Sequence, residues 1–365
     1  MRRAAIAADH SFVLSALSQY RSCYDENALQ MSYTTVATQL IERDYRLLLG
    51  LFESRVMTIS HAASLYFSGS LDAARKRVWK LKNARLVTER TRNRPYDPSI
   101  LYLTRQGFER LSATNRLTDY PAIGWPTMEK RTNVSPLTLQ HELDVMTTKA
   151  AIVSAIVGTD TYSITEFSTW PRLFAFPVGR GTTTHGLTKP DAFIRIREID
   201  ADGFHDTEHR FYLELDRSTE SLSRLQAKAG AYVEHYRSGG LARRFGAASE
   251  NYAQFPFRVL IVCPTAERRN NIARAMLHRH PPILTMVWVT TLEELRRDPL
   301  GAIWIRPIDL RDATQGTSFD ASPSTSTDLY RRESARESFI ERRVTKHAIL
   351  GGPGGSTPAI KKTDS

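Results

Sequence analysis

Two short acidic motifs carry the side chains of this sequence that are best suited to metal-dependent chemistry. Asp191 follows a proline at the start of a predicted strand, and Glu214 and Asp216 stand at the end of the next one. Because side chains alternate faces along a strand, Glu214 and Asp216 are expected to point to the same side. Two neighbouring carboxylates repel each other unless a cation lies between them, and Mg²⁺ or Mn²⁺ is a suitable cation because such ions prefer oxygen ligands. The motifs predict a metal site that includes Asp191 and Glu214, with Asp216 as a further catalytic residue.

Phosphodiester hydrolysis is the reaction that such a site would serve. A metal held by one or two carboxylates activates water and neutralises charge on the phosphate in the transition state. Lys228 lies roughly 13 Å along the following helix, which should run back over the sheet, so Lys228 is a further candidate catalytic residue. The alternative is structural: Asp191 would cap a turn, and the other carboxylates would form ordinary ion pairs with Arg195, Arg217 or Lys228.

A second group of residues is basic and suits a nucleic acid. Between Leu71 and Arg94, nine Lys and Arg residues stand against two acidic ones, a net charge of +7 in a chain whose total is +11. In a helix-turn-helix protein, the second helix enters the major groove while a wing loop touches the flanking backbone. The alternative is a solvated basic helix on a winged helix that docks to protein. The residues expected to contact DNA are Arg75, Lys76 and Lys82 on the helix and Arg92 and Arg94 in the loop.

The elements that must position these basic residues have the order of a winged helix-turn-helix. Apolar residues at helical spacing alternate with short turns, and two strand-like stretches flank a polar loop. Residues 34–112 are therefore assigned to a winged helix-turn-helix DNA-binding domain. The predicted elements are helices at 40–52, 58–65 and 71–84 and strands at 86–90 and 100–104.

The acidic motifs belong to a second predicted domain, residues 137–310, in which a mixed sheet is flanked by helices. Thr291 and Glu294 have the spacing of a capping box at the start of its last helix. The fold class is thus α+β, with an α/β mixed-sheet domain after the winged helix. The predicted elements are helices at 137–157 and 219–236 and strands at 162–167, 192–199, 211–216, 257–263, 285–289 and 302–306.

This order of elements, with Pro-Asp before Glu-x-x, resembles the PD-(D/E)XK nuclease superfamily. That superfamily places a lysine two residues after the glutamate, where this chain has Asp216. Some members carry the lysine on the following helix, which is where Lys228 lies. The resemblance also implies an additional acidic metal ligand on the first helix, and Glu142 in the sequence His141-Glu142-Leu143-Asp144 matches that place.

Taken in order, the motifs are similar to those of the bacterial replication-relaxation family of plasmids and mobile elements, over about residues 40–307. The resemblance implies a DNA-binding protein that assists plasmid replication, DNA relaxation or mobilisation. Its expected partners are double-stranded DNA and a relaxase or another relaxosome or replication protein. The resemblance leaves the activity of the nuclease-like domain open. The matching segments are the winged helix, His141–Asp144, Lys189–Ala192 and Phe211–Glu220, followed by Lys228 and Tyr232.

The composition narrows the class of protein. The 365 residues are enough for two or three domains, and 41% of them are hydrophobic. No run approaches the roughly 18 apolar residues that a membrane span needs, so we expect no membrane association and a cytoplasmic protein. Cys23 and Cys263 stand far apart, which argues against a disulfide framework or a structural zinc site. A pI near 9.7 suits a polyanionic partner.

Three segments fall outside the two predicted domains. Residues 1–33 are an uncertain leader, 113–136 are a proline-marked linker, and 311–365 are a basic tail expected to be disordered because it is rich in Ser, Thr, Gly and Pro.

Three function classes follow. The chain is a DNA-binding accessory protein with a metal-dependent nuclease-type domain, or the same fold has lost its chemistry and serves as a platform for DNA or a relaxase. The third class is a winged-helix transcriptional regulator with a ligand-sensing or dimerisation domain. The sequence does not indicate the oligomeric state.

Overall fold

The basic segment of the chain lies on the last of three helices that pack together near the start of the described structure. Thr58 and Ser70 cap the second and third of these helices, since their side-chain oxygens accept backbone hydrogen bonds from His61 and Ala73. The computed structural model describes residues 39–92, 94, 96–173, 175–177, 187–199, 206–314, 341 and 343–350. The uncertain leader, residues 1–33, lies outside the described residues. The first elements are α1 (Glu42–Ser54), β1 (Met57–Thr58), α2 (Ile59–Tyr66), α3 (Leu71–Asn83), β2 (Val87–Glu89), β3 (Ile100–Leu103) and α4 (Arg105–Ala113).

A small antiparallel sheet of order β1-β3-β2 closes this group, with Met57 opposite Leu101 and Val87 opposite Leu103. The predicted helices and strands of this region are therefore present. A buried ion pair joins two of the helices, because Arg77 Nε of α3 donates to Asp44 Oδ1 of α1 at 2.7 Å. The apolar residues that pack inside the group are Leu47, Leu51, Ala62, Ala74, Val78, Leu81 and Leu101.

The segment expected to be a linker contains a helix, α5 (Trp125–Thr132), which buries Met128. A longer helix, α6 (Pro136–Val157), begins at Ser135, whose hydroxyl accepts the backbone N–H of Thr138. The segment 113–136, predicted as a linker, thus contains a helix whose apolar residue Met128 is buried. α6 also contacts α2, where His61 Nε2 lies 3.1 Å from Thr147 Oγ1.

The elements after α6 form a second group built around a mixed five-stranded sheet. They are β4 (Tyr162–Ser168), β5 (Phe176–Pro177), β6 (Leu187–Thr188), β7 (Ala192–Ile199), β8 (Asp206–Leu215), α7 (Leu222–Arg237), α8 (Gly240–Arg244), β9 (Arg258–Cys263), α9 (Ala266–Leu277), β10 (Val287–Thr291), α10 (Leu292–Arg297) and α11 (Pro307–Thr314). The strand order in the sheet is β10-β9-β8-β7-β4. β4, β7 and β8 are antiparallel neighbours, whereas β8, β9 and β10 run parallel. The predicted mixed sheet with flanking helices is confirmed.

The alternation of side chains along β8 separates two layers of core. Phe211, Leu213 and Leu215 pack with α6 on one face of the sheet. Tyr212 packs with α7 and α9 on the other face. The predicted alternation along this strand is therefore confirmed, and Glu214 lies on the α7 side.

The C-terminal end of the described structure departs from two predictions. The strand expected at 302–306 is reduced to isolated bridges, in which Ile305 pairs with Val289 and Trp304 pairs with His347. The prediction of a disordered tail from residue 311 is wrong for 311–314, which end α11, and for 343–350, which pack on the domain. Ile349 and Leu350 are buried there in the same hydrophobic cluster as Trp304. Apart from residue 341, the rest of the tail lies outside the described residues.

No helix in the described part of the chain is long and apolar enough to cross a membrane.

Candidate functional site

The two acidic motifs meet where β7 begins and β8 ends. Asp191 directly precedes β7, and Ala192 pairs with Leu213 of β8. The backbone N–H of Asp191 donates to Leu213 at 3.0 Å, and Asp191 Oδ2 accepts the N–H of Leu215 at 2.8 Å. The antiparallel register therefore brings Asp191 beside Glu214, as the two strand positions predict.

Glu214 is bound by two residues of α7. Lys228 Nζ lies 2.6 Å from Glu214 Oε2, and the Tyr232 hydroxyl donates to Glu214 Oε1. Lys228 and Tyr232 are four residues apart, so one face of α7 presents both. The helix thus runs back over the sheet and brings Lys228 to the glutamate, at the position that the sequence predicts.

Burial makes Glu214 an unusual carboxyl group. Its side chain is among the least exposed acidic groups of the chain, at 3% for the residue. Burial raises the pKa of Glu214 to about 7, the Lys228 charge opposes that shift, and the Asp191 charge adds to it. Burial favours the neutral amine of Lys228, but the charges of Glu214 and Asp191 raise its pKa overall. Glu214 can therefore exchange a proton near neutral pH.

His141 completes this cluster from α6. Its Nε2 lies 2.9 Å from Asp191 Oδ1, and that hydrogen bond raises the pKa of His141 although burial lowers it. In the sequence, His141 stands out only as part of a motif, which does not predict its contact with Asp191. The contact depends on how α6 crosses the sheet, which local sequence does not encode. We refer to His141, Asp191, Glu214, Lys228 and Tyr232 as the acidic cluster.

The other acidic candidates are paired elsewhere. Glu142 Oε1 lies 3.0 Å from Arg55 Nη1, and burial raises the pKa of Glu142. Asp216 is buried and lies 2.7 Å from Arg268 Nε at the start of α9. β8 ends at Leu215, so strand alternation no longer fixes where the Asp216 side chain points. Asp216 is therefore neutralised by Arg268.

The donor chemistry of Asp191 and Glu214 fits a magnesium or manganese ion, which needs only one or two protein carboxylates besides water. Within the described ranges, no group of three or more His, Cys, Asp or Glu side chains is arranged to hold a metal. Glu142 lines the same cavity as Asp191, but its carboxylate lies against Arg55. A bound ion would thus have to compete with Lys228 for Glu214 and with His141 for Asp191.

The five residues expected to contact DNA lie together on the N-terminal part of the structure. Arg75 and Lys76 are exposed on α3, and Arg92 and Arg94 are exposed beyond β2. Arg75 Nη1 lies 3.4 Å from Asp72 Oδ1, and this ion pair is weak because it is exposed to solvent. Lys82 is half-buried, and its Nζ lies 2.6 Å from Glu89 Oε2.

Two large aromatic side chains are exposed beside these cations. Trp79 is 62% exposed and Tyr96 is 98% exposed. Trp79 shares the exposed face of α3 with Arg75, Lys76 and Lys80, because these positions follow the three-and-four spacing of a helix. Sequence reasoning missed Trp79, although the same spacing would have found it. We call the exposed residues of α3 and of the segment 90–98 the basic surface.

The family comparison covers the part of the chain that contains the basic surface and the acidic cluster. The model of the replication-relaxation family matches residues 48–248, which is more than half of the chain and extends from α1 beyond α8. No curated protein and no solved structure matches the chain. The matched range contains the basic surface and every residue of the acidic cluster. The chain therefore belongs to the replication-relaxation family.

Proposed function

We propose that this protein is a DNA-binding accessory factor for replication, relaxation or mobilisation of a plasmid or other mobile element. The observation that carries the proposal is the basic surface, where cations and an indole side chain share the exposed face of one helix. Family membership supports the biological setting. In this proposal, residues 34–112 are a winged helix-turn-helix domain and residues 137–310 are a PD-(D/E)XK nuclease-like domain.

The arrangement of α2 and α3 supports the winged-helix assignment. A turn from Phe67 to Ser70 joins the two helices, and α3 buries Ala74, Val78 and Leu81 while its opposite face is open to solvent. The antiparallel strands β2 and β3 follow, and the connection between them carries Arg92 and Arg94. α3 is then the helix that enters the major groove, and the connection is the wing.

The charges of this region divide into two roles. Arg77 is held by the buried Asp44, so its charge serves the fold. Lys76 and Lys80 have no ion pair with any residue that the structure describes, so their charges are available for phosphates. Electrostatic binding of this kind is steeply dependent on salt because each phosphate contact releases condensed counterions.

The test is the salt dependence of binding to duplex DNA by the full-length protein. Changing Arg75, Lys76, Arg92 and Arg94 to Ala should reduce the slope of log affinity against log salt by about three to four, at about 0.9 for each lost phosphate contact.

The matched control removes the same charge from exposed positions elsewhere, and it should leave the slope unchanged. If both quadruple variants behave alike, the basic surface is not the DNA interface, and docking to protein or a regulator role takes its place. The control variant changes Arg237, Arg243, Arg297 and Arg311 to Ala.

A second candidate function is metal-dependent cleavage of DNA, and it rests on the contact between Lys228 and Glu214 beside Asp191. With a divalent ion bound, the site would gain a Lewis acid and a source of activated water. Asp191 and Glu214 would hold the ion, with Glu142 as a further candidate ligand. Lys228 would orient water or stabilise charge on the phosphate, and Asp216 would hold Arg268 at the edge of the site.

Nicking of supercoiled plasmid with Mg²⁺ or Mn²⁺ tests this second function. Lys228→Ala and Glu214→Gln should keep DNA binding and lose nicking, by a factor of about 10² to 10⁴ in rate. If the wild type binds DNA but leaves supercoiled, single-stranded and branched DNA intact with either metal, the domain is a non-enzymatic platform. The accessory role, with DNA and a relaxase or another replication protein as partners, would then stand by itself.

A further inference from the structure

A small cavity opens beside the acidic cluster, between the end of α1, the helices α5 and α6, and the segment before β7. It has a volume of about 150 Å³. Three cationic side chains from three separate parts of the chain line it, namely Arg55, Arg131 and Lys189, with Asp191 at one edge. We call it the basic cavity.

Arg131 is the most unusual of these cations. Its guanidinium carbon lies 3.3 Å from the centre of the Trp170 ring, so the ring covers one face of the group. Its Nε is buried and makes no hydrogen bond, and the side chain has no ion pair with any described residue. A buried donor without a partner is unfavourable, so an acceptor that enters the cavity and reaches this group would be stabilised.

Arg55 lines the cavity from the end of α1. It follows α1 with φ of 65°, a left-handed conformation that non-glycine residues rarely adopt. One nitrogen of its guanidinium lies 3.0 Å from Glu142, while its Nε is also buried without a hydrogen-bond partner. Arg55 therefore retains a free donor.

The carboxylates that line the cavity are paired with residues other than Arg131 and Lys189. Glu142 is paired with Arg55 and Asp191 with His141. Glu53 also lines the cavity, and its Oε2 lies 3.4 Å from Nζ of Lys149, which does not line it. Arg131 and Lys189 make no ion pair within the described structure, although the charge of Glu142 acts on both of them. Burial and repulsion from Arg55 lower the pKa of Arg131 to about 9, and a bound anion would oppose that shift.

We propose that the basic cavity binds a phosphate group, held by Arg55, Arg131 and Lys189. A phosphate offers several oxygens to planar guanidinium groups, which bind it through parallel hydrogen bonds. The inference deepens the proposed function and rests on it, because a DNA phosphate seated there would lie next to Asp191. The phosphate could belong to a DNA end, to an internal phosphodiester or to a free phosphate ion, and the three are separated by experiment.

The test measures binding of three probes by the full-length protein: inorganic phosphate, a duplex with 5′-phosphate ends, and the same duplex with 5′-hydroxyl ends. Arg131→Gln should weaken binding of at least one probe about tenfold or more, and Lys189→Gln, at the exposed rim, should act in the same direction without endangering the fold. The matched control is Lys130→Gln, an exposed neighbour on α5 that does not line the cavity.

The pattern of losses identifies the source. A loss confined to the phosphorylated duplex indicates a DNA end, a loss with both duplexes indicates an internal phosphodiester, and a loss with inorganic phosphate indicates that the free ion binds. If Arg131→Gln and Lys189→Gln bind all three probes as the wild type does, the proposal is overturned. The quadruple alanine variant of the basic surface separates this outcome from failure of the proposed function, since that variant should still bind inorganic phosphate or a 5′-phosphate end in the cavity.

Discussion

The buried Glu214 should make the stability of this protein fall as the pH rises from 4.5 to 7. Burial raises its pKa from 4.5 to about 7 in the folded chain. Below pH 4.5 the carboxyl group is protonated in the folded and in the unfolded state, so it contributes no pH dependence. Between the two pKa values the folded protein keeps the proton that the unfolded chain has released, and the free energy of unfolding falls by about 1.4 kcal/mol per pH unit. The total loss is about 3 kcal/mol, and above pH 7 the dependence on this group ends.

Glu214→Gln isolates the effect because glutamine keeps the shape and does not titrate. We expect the difference in unfolding free energy between wild type and Glu214→Gln to change by about 3 kcal/mol from pH 4.5 to pH 7, in favour of the variant at the higher pH. Urea denaturation in EDTA at half-unit pH intervals measures it. Glu267→Gln, at an exposed position in the first turn of α9, is the control and should run parallel to wild type.

A second titration in millimolar Mg²⁺ or Mn²⁺ extends the experiment to the metal. An ion that binds Glu214 displaces its proton, so the pH dependence should move to lower pH in the wild type and not in Glu214→Gln. If the difference between the two proteins in EDTA stays constant across the window, Glu214 is ionised in the folded state and the reasoning from burial is refuted.

Three further changes test other contacts. Trp79→Ala should weaken duplex binding by about 1 kcal/mol and leave the melting temperature unchanged, whereas Trp79→Phe should keep most of the affinity. Fluorescence anisotropy measures the binding. If the wild type and both variants bind equally well, the indole is not part of the interface. Arg77→Ala should cost about 3 kcal/mol of unfolding free energy because it leaves Asp44 buried and unpaired, and the double change with Asp44→Ala should recover part of that loss in urea denaturation. His347→Ala should cost about 2 kcal/mol, since it removes the buried contact with Asp309 at 3.0 Å, and a loss below about 0.5 kcal/mol would show that residues 343–350 add little stability.

Periodicity explains which parts of the candidate site were predictable. The two-residue repeat along β8 placed Glu214 opposite the apolar residues, and the length of α7 placed Lys228 near it. The same repeat ends before Asp216, which lies one residue beyond the strand, and the sequence did not indicate its contact with Arg268. The local sequence pattern therefore predicts side-chain directions inside an element and is less informative at the element's end.

The basic cavity shows what local pattern cannot supply. Arg55, Arg131 and Lys189 are far apart in sequence and meet only through the crossing of α1, α5 and the segment before β7. The sequence does not indicate the positive φ at residue 55, because that residue is an arginine and not a glycine or asparagine. The sequence did not indicate the packed segment 343–350 for a related reason. Its few apolar residues lie within a tail that is otherwise polar, so they form no recognisable pattern.

One helix, α6, takes part in both halves of the molecule. Its N-terminal turns supply His141 to the acidic cluster, while Thr147 contacts His61 of α2, and α2 leads through a short turn into α3. Thermodynamic linkage then requires reciprocity: if duplex DNA on the basic surface changes the affinity of the cavity for phosphate, phosphate changes the affinity for duplex DNA by the same factor.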